Sequence, residues 1–251
     1  MKKTIIALLA LVPVLAFAAG PSIPLDKANN DLTDKQSLRN GAETFMNYCL
    51  GCHQLQYQRY NRTFADLGID EKEGIATLMF TGEKPGDHIT NTMPAKEAAA
   101  WFGAAPPDLT LVTRYKKDGV NWLYTYLRSF YVDPNRPFGV NNAVFKDVGM
   151  PHVFQQLQGV QELTDEAKAM LQLPATEQRP LTTDDLVLTQ PGQLTPQEYD
   201  VLVRDLVNFL EYTGEPGKVE RKRLGYWVMG FLVILFIFSY LLKKEYWRDV
   251  H

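Results

Sequence analysis

Cys49-Leu50-Gly51-Cys52-His53 is the segment of this sequence whose residue types and spacing can do chemistry. Two thiols one helical turn apart can add to the two vinyl groups of a haem, and the imidazole that follows directly can reach the iron. Two other readings use the same cysteines. In an oxidising compartment a pair of cysteines is by default a disulfide, and Cys-x-x-Cys in a βαβ setting is a thioredoxin-like redox pair. The chain has four His in 251 residues, so a His directly after the second Cys is not expected by chance. No βαβ pattern surrounds the motif, which therefore reads as the attachment site of one covalent haem c, with His53 as an iron ligand.

A sixth ligand decides what such a haem does. A thioether opposite His raises the potential and closes the site for electron transfer, whereas an open position permits ligand binding or peroxide chemistry. Of the seven Met, Met1 is the initiator, Met46 lies on a helical stripe, Met79 and Met229 sit in apolar stretches, and Met170 is near an acidic helix. Met93-Pro94 and Met150-Pro151 remain, both in loop-like sequence. A loop suits a ligand because the chain must lie across the haem face, and Pro stiffens it. Residue type alone leaves the two equal. His88 and His152 are the groups that a lower-potential bis-His haem would use.

Several elements must position these residues. Thr33-Asp34-Lys35-Gln36 has the Thr-x-x-Gln form of a capping box, and Leu38, Ala42, Phe45, Met46 and Cys49 follow at helical spacing, so the motif is expected at the C-terminal end of a first helix. From Asn61 to Asp108 the chain is broken by Gly and Pro, with a short helix over Lys96–Phe102. Val120–Phe130 predicts a packed helix and Asp133–Pro151 a loop. The last soluble helix is the clearest. Thr195 caps it, Pro196 opens it and Glu198 reaches back. Tyr199, Leu202, Val203, Leu206, Phe209 and Leu210 form its apolar stripe, and Gly214 ends it.

The ends of the chain set its address. Lys2 and Lys3, an apolar run from Ile5 to Leu15 and Ala16-Phe17-Ala18 have the three-part layout of a secretory signal, expected over 1–18. Leu224–Leu242 carries no charge and is bounded by Arg221-Lys222-Arg223 and Lys243-Lys244. As a helix it is about 28 Å long, enough to span a bilayer. Basic flanks do not orient it, because both are similarly dense in Lys and Arg. The signal does: 19–217 is expected in the periplasm, 218–223 as a linker, 224–242 as the transmembrane helix and 243–251 as a cytoplasmic tail. Residues 19–217 hold 17 Lys+Arg against 26 Asp+Glu, a net −9, which disfavours nucleic acid and favours basic partners. The fold class expected is mainly α, a haem domain on a single C-terminal transmembrane helix.

Cys49–His53, then Gly103-Ala104-Ala105-Pro106-Pro107-Asp108-Leu109, then Val148-Gly149-Met150-Pro151-His152, and a spanning helix ending Lys243-Lys244-Glu245-Tyr246-Trp247, occur in this order. In these separated motifs, and over nearly its whole length, the chain resembles the cytochrome c1 family, the c-type haem subunits of ubiquinol:cytochrome c oxidoreductase. The resemblance implies a cytochrome c-like haem domain in the bacterial inner membrane. It implies haem attachment through Cys49 and Cys52, His53 as proximal and Met150 as distal ligand, Pro107 along the haem, and Arg114 paired with a haem propionate. It also implies a cytochrome b subunit, a Rieske-type iron-sulfur subunit that donates electrons, a cytochrome c that accepts them, and a dimeric multi-subunit complex. No separate substrate-transforming site is expected. The chain lacks the second Cys pair with which some bacterial members brace the distal loop, so packing around Phe138, Val144, Phe145 and Val148 is expected to hold Met150.

Overall fold

The structure is a computed structural model that describes residues 24–248, so the signal expected over 1–18 and the last three residues of the tail lie outside the described residues. In chain order the elements are α1 (Lys35–Tyr48), β1 (Leu55–Arg59), α2 (Tyr60–Leu67), α3 (Glu71–Thr77), β2 (His88–Ile89) and α4 (Ala95–Phe102). There follow α5 (Val112–Tyr115), α6 (Gly119–Arg128), β3 (Phe130–Val132), β4 (Val140–Asn142), α7 (Gln155–Gln158) and β5 (Gly159–Leu163). Then come α8 (Asp165–Leu171), β6 (Leu186–Pro191), α9 (Pro196–Gly214) and α10 (Lys218–Tyr246). Among the described residues the strands pair as three antiparallel two-stranded ribbons, β1–β2, β3–β4 and β5–β6, so the fold is mainly helical as expected.

Two helices far apart in sequence make the centre. α1 buries Leu38, Ala42, Phe45 and Met46, and α9 buries Tyr199, Val203, Leu206, Phe209 and Leu210. Gly41 lets them touch at backbone distance, since a Cβ there would lie 2.0 Å from the Asp205 carbonyl oxygen and 2.7 Å from Phe209 Cβ. The buried Asp205 carboxylate accepts from Ser37 Oγ at 2.7 Å and Asn40 Nδ2 at 2.9 Å, which offsets its desolvation. Gly41→Ala must push the helices apart and is expected to cost at least about 2 kcal/mol. Thermal unfolding of the purified protein, with a clearly lowered Tm, checks it.

The first helix starts one residue later than the Thr33 box implies. Asp34 is the N-cap and accepts from the N–H groups of Gln36 and Ser37, both at 3.0 Å. The Thr33 hydroxyl instead donates to Asp31 at 2.6 Å, and a carboxylate one position on is the better acceptor. At the other end of the core, α9 has the Thr195–Glu198 capping box and Pro at its start, as read from sequence. Tyr199 donates its hydroxyl to the Leu127 carbonyl at 2.8 Å, locking α9 onto α6. Arg128 bridges Asp200 (2.6 Å) and Asp26 (2.5 Å), which pins the N-terminal segment to the same place.

The linker expected over 218–223 is helical. α10 begins at Lys218, and only residues 215–217 separate it from α9. The charges of this stretch support the helix: Lys218 pairs with Glu211 at 2.5 Å, Arg223 with Glu220 at 2.7 Å, and Arg221 with Glu215. None of α10 is buried against the rest of the described residues, and its length and hydropathy are those of a membrane span.

Candidate haem site

α1 delivers the motif at its C-terminal end. Cys49 is the C-cap, and its carbonyl accepts from the N–H of Cys52 at 3.0 Å and of His53 at 2.7 Å, closing a tight turn that presents both thiols and the ring together. Cys49 is buried and Cys52 partly so, and no disulfide joins them. Burial, reinforced by the neighbouring Cys52, pushes the Cys49 thiol up to about 12. His53 donates Nδ1–H to the Pro107 carbonyl at 2.8 Å, which fixes the ring and leaves Nε2 with a free lone pair. Burial drives the His53 pKa down, against smaller upward pulls from that hydrogen bond and from Asp108, so the ring is held in the neutral form that binds a metal.

Pro107 therefore acts through its carbonyl, and its neighbours strap the same turn. Asp108 accepts from Gln56 N–H at 2.7 Å and Thr110 N–H at 2.9 Å, while Leu109 N–H donates to the Gln54 carbonyl at 2.9 Å. Asn91 holds the other side, donating to the Leu50 carbonyl at 2.9 Å and accepting from Met93 N–H at 3.1 Å. Sequence reasoning missed Asn91. Its one signal was its place two residues before Met93-Pro94.

Met150 lies on the segment that leads back to the motif. It is half-buried against the main core, and its sulfur accepts from the Tyr126 hydroxyl at 3.4 Å. Gly149 passes so close to the end of α4 that a Cβ would lie 2.9 Å from the Phe102 carbonyl oxygen. Four residues beyond Met150, Phe154 packs its ring on Tyr48, next to Cys49, at 5.2 Å. The segments 49–54, 107–110 and 150–154 thus converge on one apolar core.

The loop that carries Met150 has the expected apolar packing and polar braces beside it. Val144 and Val148 are buried, but Phe138 and Phe145 are 38% and 48% exposed. Both rings still pack on one side, Phe138 against Phe102 at 5.8 Å and Phe145 against Trp122 at 6.5 Å, and polar contacts add to this packing. Arg136 pairs with the Asp147 carboxylate at 3.2 Å and donates to its carbonyl at 2.8 Å, Asn141 accepts from Asp147 N–H at 2.8 Å, and Asn142 accepts from Val144 N–H at 2.9 Å. Asp147 sits at φ +62°, a conformation that these bonds must hold.

The remaining candidates have other surroundings. Met93 is half-buried with its N–H taken by Asn91. His88 pairs with Arg59 in the β1–β2 ladder. His152 stacks on Phe130 at 4.8 Å and 4°, and burial drives its pKa down to about 4, so it is a neutral ring in the wall beside Met150. Arg114 reaches the Gly214 carbonyl at 3.5 Å and Glu215 at 3.9 Å, at the end of α9, with its side chain 58% exposed.

A neutral imidazole with one nitrogen free, a thioether on a wall of aromatic rings, and two thiols on a single turn form a donor set that fits haem with His and Met on its iron. Fold and site define a haem electron-transfer protein of the c-type cytochrome class, carried on a helix long and apolar enough to cross a membrane.

The chain belongs to the cytochrome c1 family, whose family model matches residues 27–250. It is 52% identical to cytochrome c1 of Allochromatium vinosum over the whole of both chains. It is 31% identical to cytochrome c1 of Rhodospirillum rubrum over 86% of this chain and 83% of that one. A protein named ammonia monooxygenase gamma subunit, from Nitrosomonas europaea, is 43% identical over all of this chain and 99% of its own length. Membership makes this chain a haem electron-transfer subunit of the cytochrome bc1 type.

Proposed function

We propose that this chain carries one haem c bound through Cys49 and Cys52, with His53 and Met150 as its axial ligands, and relays single electrons from a Rieske-type iron-sulfur subunit to a cytochrome c. The observation that carries this reading is the His53–Pro107 hydrogen bond, which sets the tautomer and aims Nε2 away from the strap. Bound haem supplies a one-electron iron centre. The chain's own residues orient and shield it. Pro107 fixes the ring, Asp108 and Asn91 hold the turn that carries the thiols, and Tyr126, Val144 and Val148 keep water from the distal side. Arg114 is proposed to pair with a propionate through the part of its fork that the end of α9 does not use.

Residues 1–18 are proposed to be an export signal, which places 19–217 in the periplasm, 224–242 across the inner membrane beside cytochrome b, and the tail in the cytoplasm of a dimeric complex. A monooxygenase role, as the name of one relative suggests for that relative, would need a position open to oxygen; Met150 is proposed to fill it. Gentle solubilisation of the membrane tests the assignment. The chain is expected to copurify with cytochrome b and an iron-sulfur protein, and recovery as a lone cytochrome with full quinol-independent function would overturn it.

A further inference from the structure

Tyr126 lies on α6, far from the attachment motif, yet its hydroxyl donates to the Met150 sulfur at 3.4 Å. Its ring has little freedom. Trp122 stacks on one face at 5.0 Å and 12°, Phe130 meets it edge-on at 5.2 Å and 70°, and the residue is 8% exposed. The backbone is tied as firmly to the distal loop, because Asn142 donates its side-chain amide to the Tyr126 carbonyl at 2.8 Å while its oxygen accepts from Val144 N–H at 2.9 Å and Phe145 N–H at 3.1 Å. The phenol and the thioether are therefore held in one register by the same asparagine.

A thioether sulfur has two lone pairs, and a metal takes one. A donor on the second draws electron density from sulfur, weakens its donation to ferric iron more than to ferrous, and so favours the reduced state. We propose that Tyr126 is a positioning residue for the distal ligand: its hydroxyl occupies one lone pair of the Met150 sulfur, leaves the other for iron, and raises the reduction potential of the haem. This rests on Met150 being the distal ligand, as proposed above.

The test is the midpoint potential of the purified haem-loaded protein carrying Tyr126→Phe, read together with the methionine-to-iron charge-transfer band of the ferric form. The ring and its stacking survive this change, so the band is expected to persist while the redox equilibrium shifts three- to tenfold toward the oxidised form. Tenfold corresponds to about 59 mV for one electron. An unchanged potential with the band intact overturns the proposal and leaves the ligand assignment standing. A band absent from the unsubstituted protein overturns both. Should Tyr126→Phe lose the band, 3-fluorotyrosine at position 126 decides. At neutral pH the fluorinated phenol is still protonated and, being more acidic, donates more strongly to the sulfur. The potential is then expected to rise, and a constant or lower value overturns the proposal.

Discussion

Cys49→Ala combined with Cys52→Ala is expected to abolish haem staining on a denaturing gel, a complete loss against the unsubstituted chain. The reason is geometric. The turn that ends α1 places both thiols beside a carbonyl that already anchors Cys52 and His53, so nothing but thioether bonds at these two positions could hold a haem once the fold is gone. Each single substitution should retain staining through the remaining thioether. In the unsubstituted protein neither thiol should react with an alkylating reagent after reduction and denaturation. Two alkylatable thiols in that material would return the motif to a redox pair or a disulfide.

Met150→Leu should have the next largest effect. Leu has nearly the volume of Met, so Gly149 can keep its approach to Phe102 and the loop can keep its polar braces. What disappears is the thioether. The reduced protein is expected to bind carbon monoxide and the unsubstituted protein is expected not to, and the potential is expected to fall by on the order of 0.1–0.2 V within the roughly 0.8 V that axial ligands can span. Electron delivery to an acceptor cytochrome should slow at least tenfold. Met93→Leu is the control, since Met93 was its equal on residue type alone. If the spectrum changes with Met93 and not with Met150, the distal ligand is misassigned.

Features built from local spacing were legible in the chain. The Thr195–Glu198 box, the stripe on α9 and the position of the haem motif at the end of α1 all follow from contacts within one turn or one helix face. The β5–β6 ribbon was not legible. Its strands are separated by α8 and carry exposed Val187 and Leu188 beside polar residues, so no period-2 alternation marks them. Residues 218–223 were expected as a linker, whereas they are the first turns of α10, with ion pairs to Glu211, Glu215 and Glu220.

At the site the limits were of a different kind. Pro107 could be placed beside the haem, but its contribution is a backbone carbonyl, an atom every residue has and no sequence pattern singles out. Asn91, Tyr126 and Arg136 act on partners 11 to 41 positions away, and only the fold brings them there. Packing around Phe138, Val144, Phe145 and Val148 was expected to hold Met150, and both valines are buried. What the sequence did not show is the polar part: Arg136 donates to the backbone of this loop and Asn141 and Asn142 accept from it, while Phe138 and Phe145 pack on one side only and stay partly exposed.

The most direct test of the relay is a redox titration in time. The purified assembly of this chain with cytochrome b and the iron-sulfur subunit is mixed with a quinol, and an oxidised cytochrome c is added afterwards. The c-type haem is predicted to become reduced on the quinol and to reoxidise as the added cytochrome is reduced in equal amount. A c-type haem that stays oxidised in the presence of quinol, while cytochrome c is reduced all the same, would contradict the account.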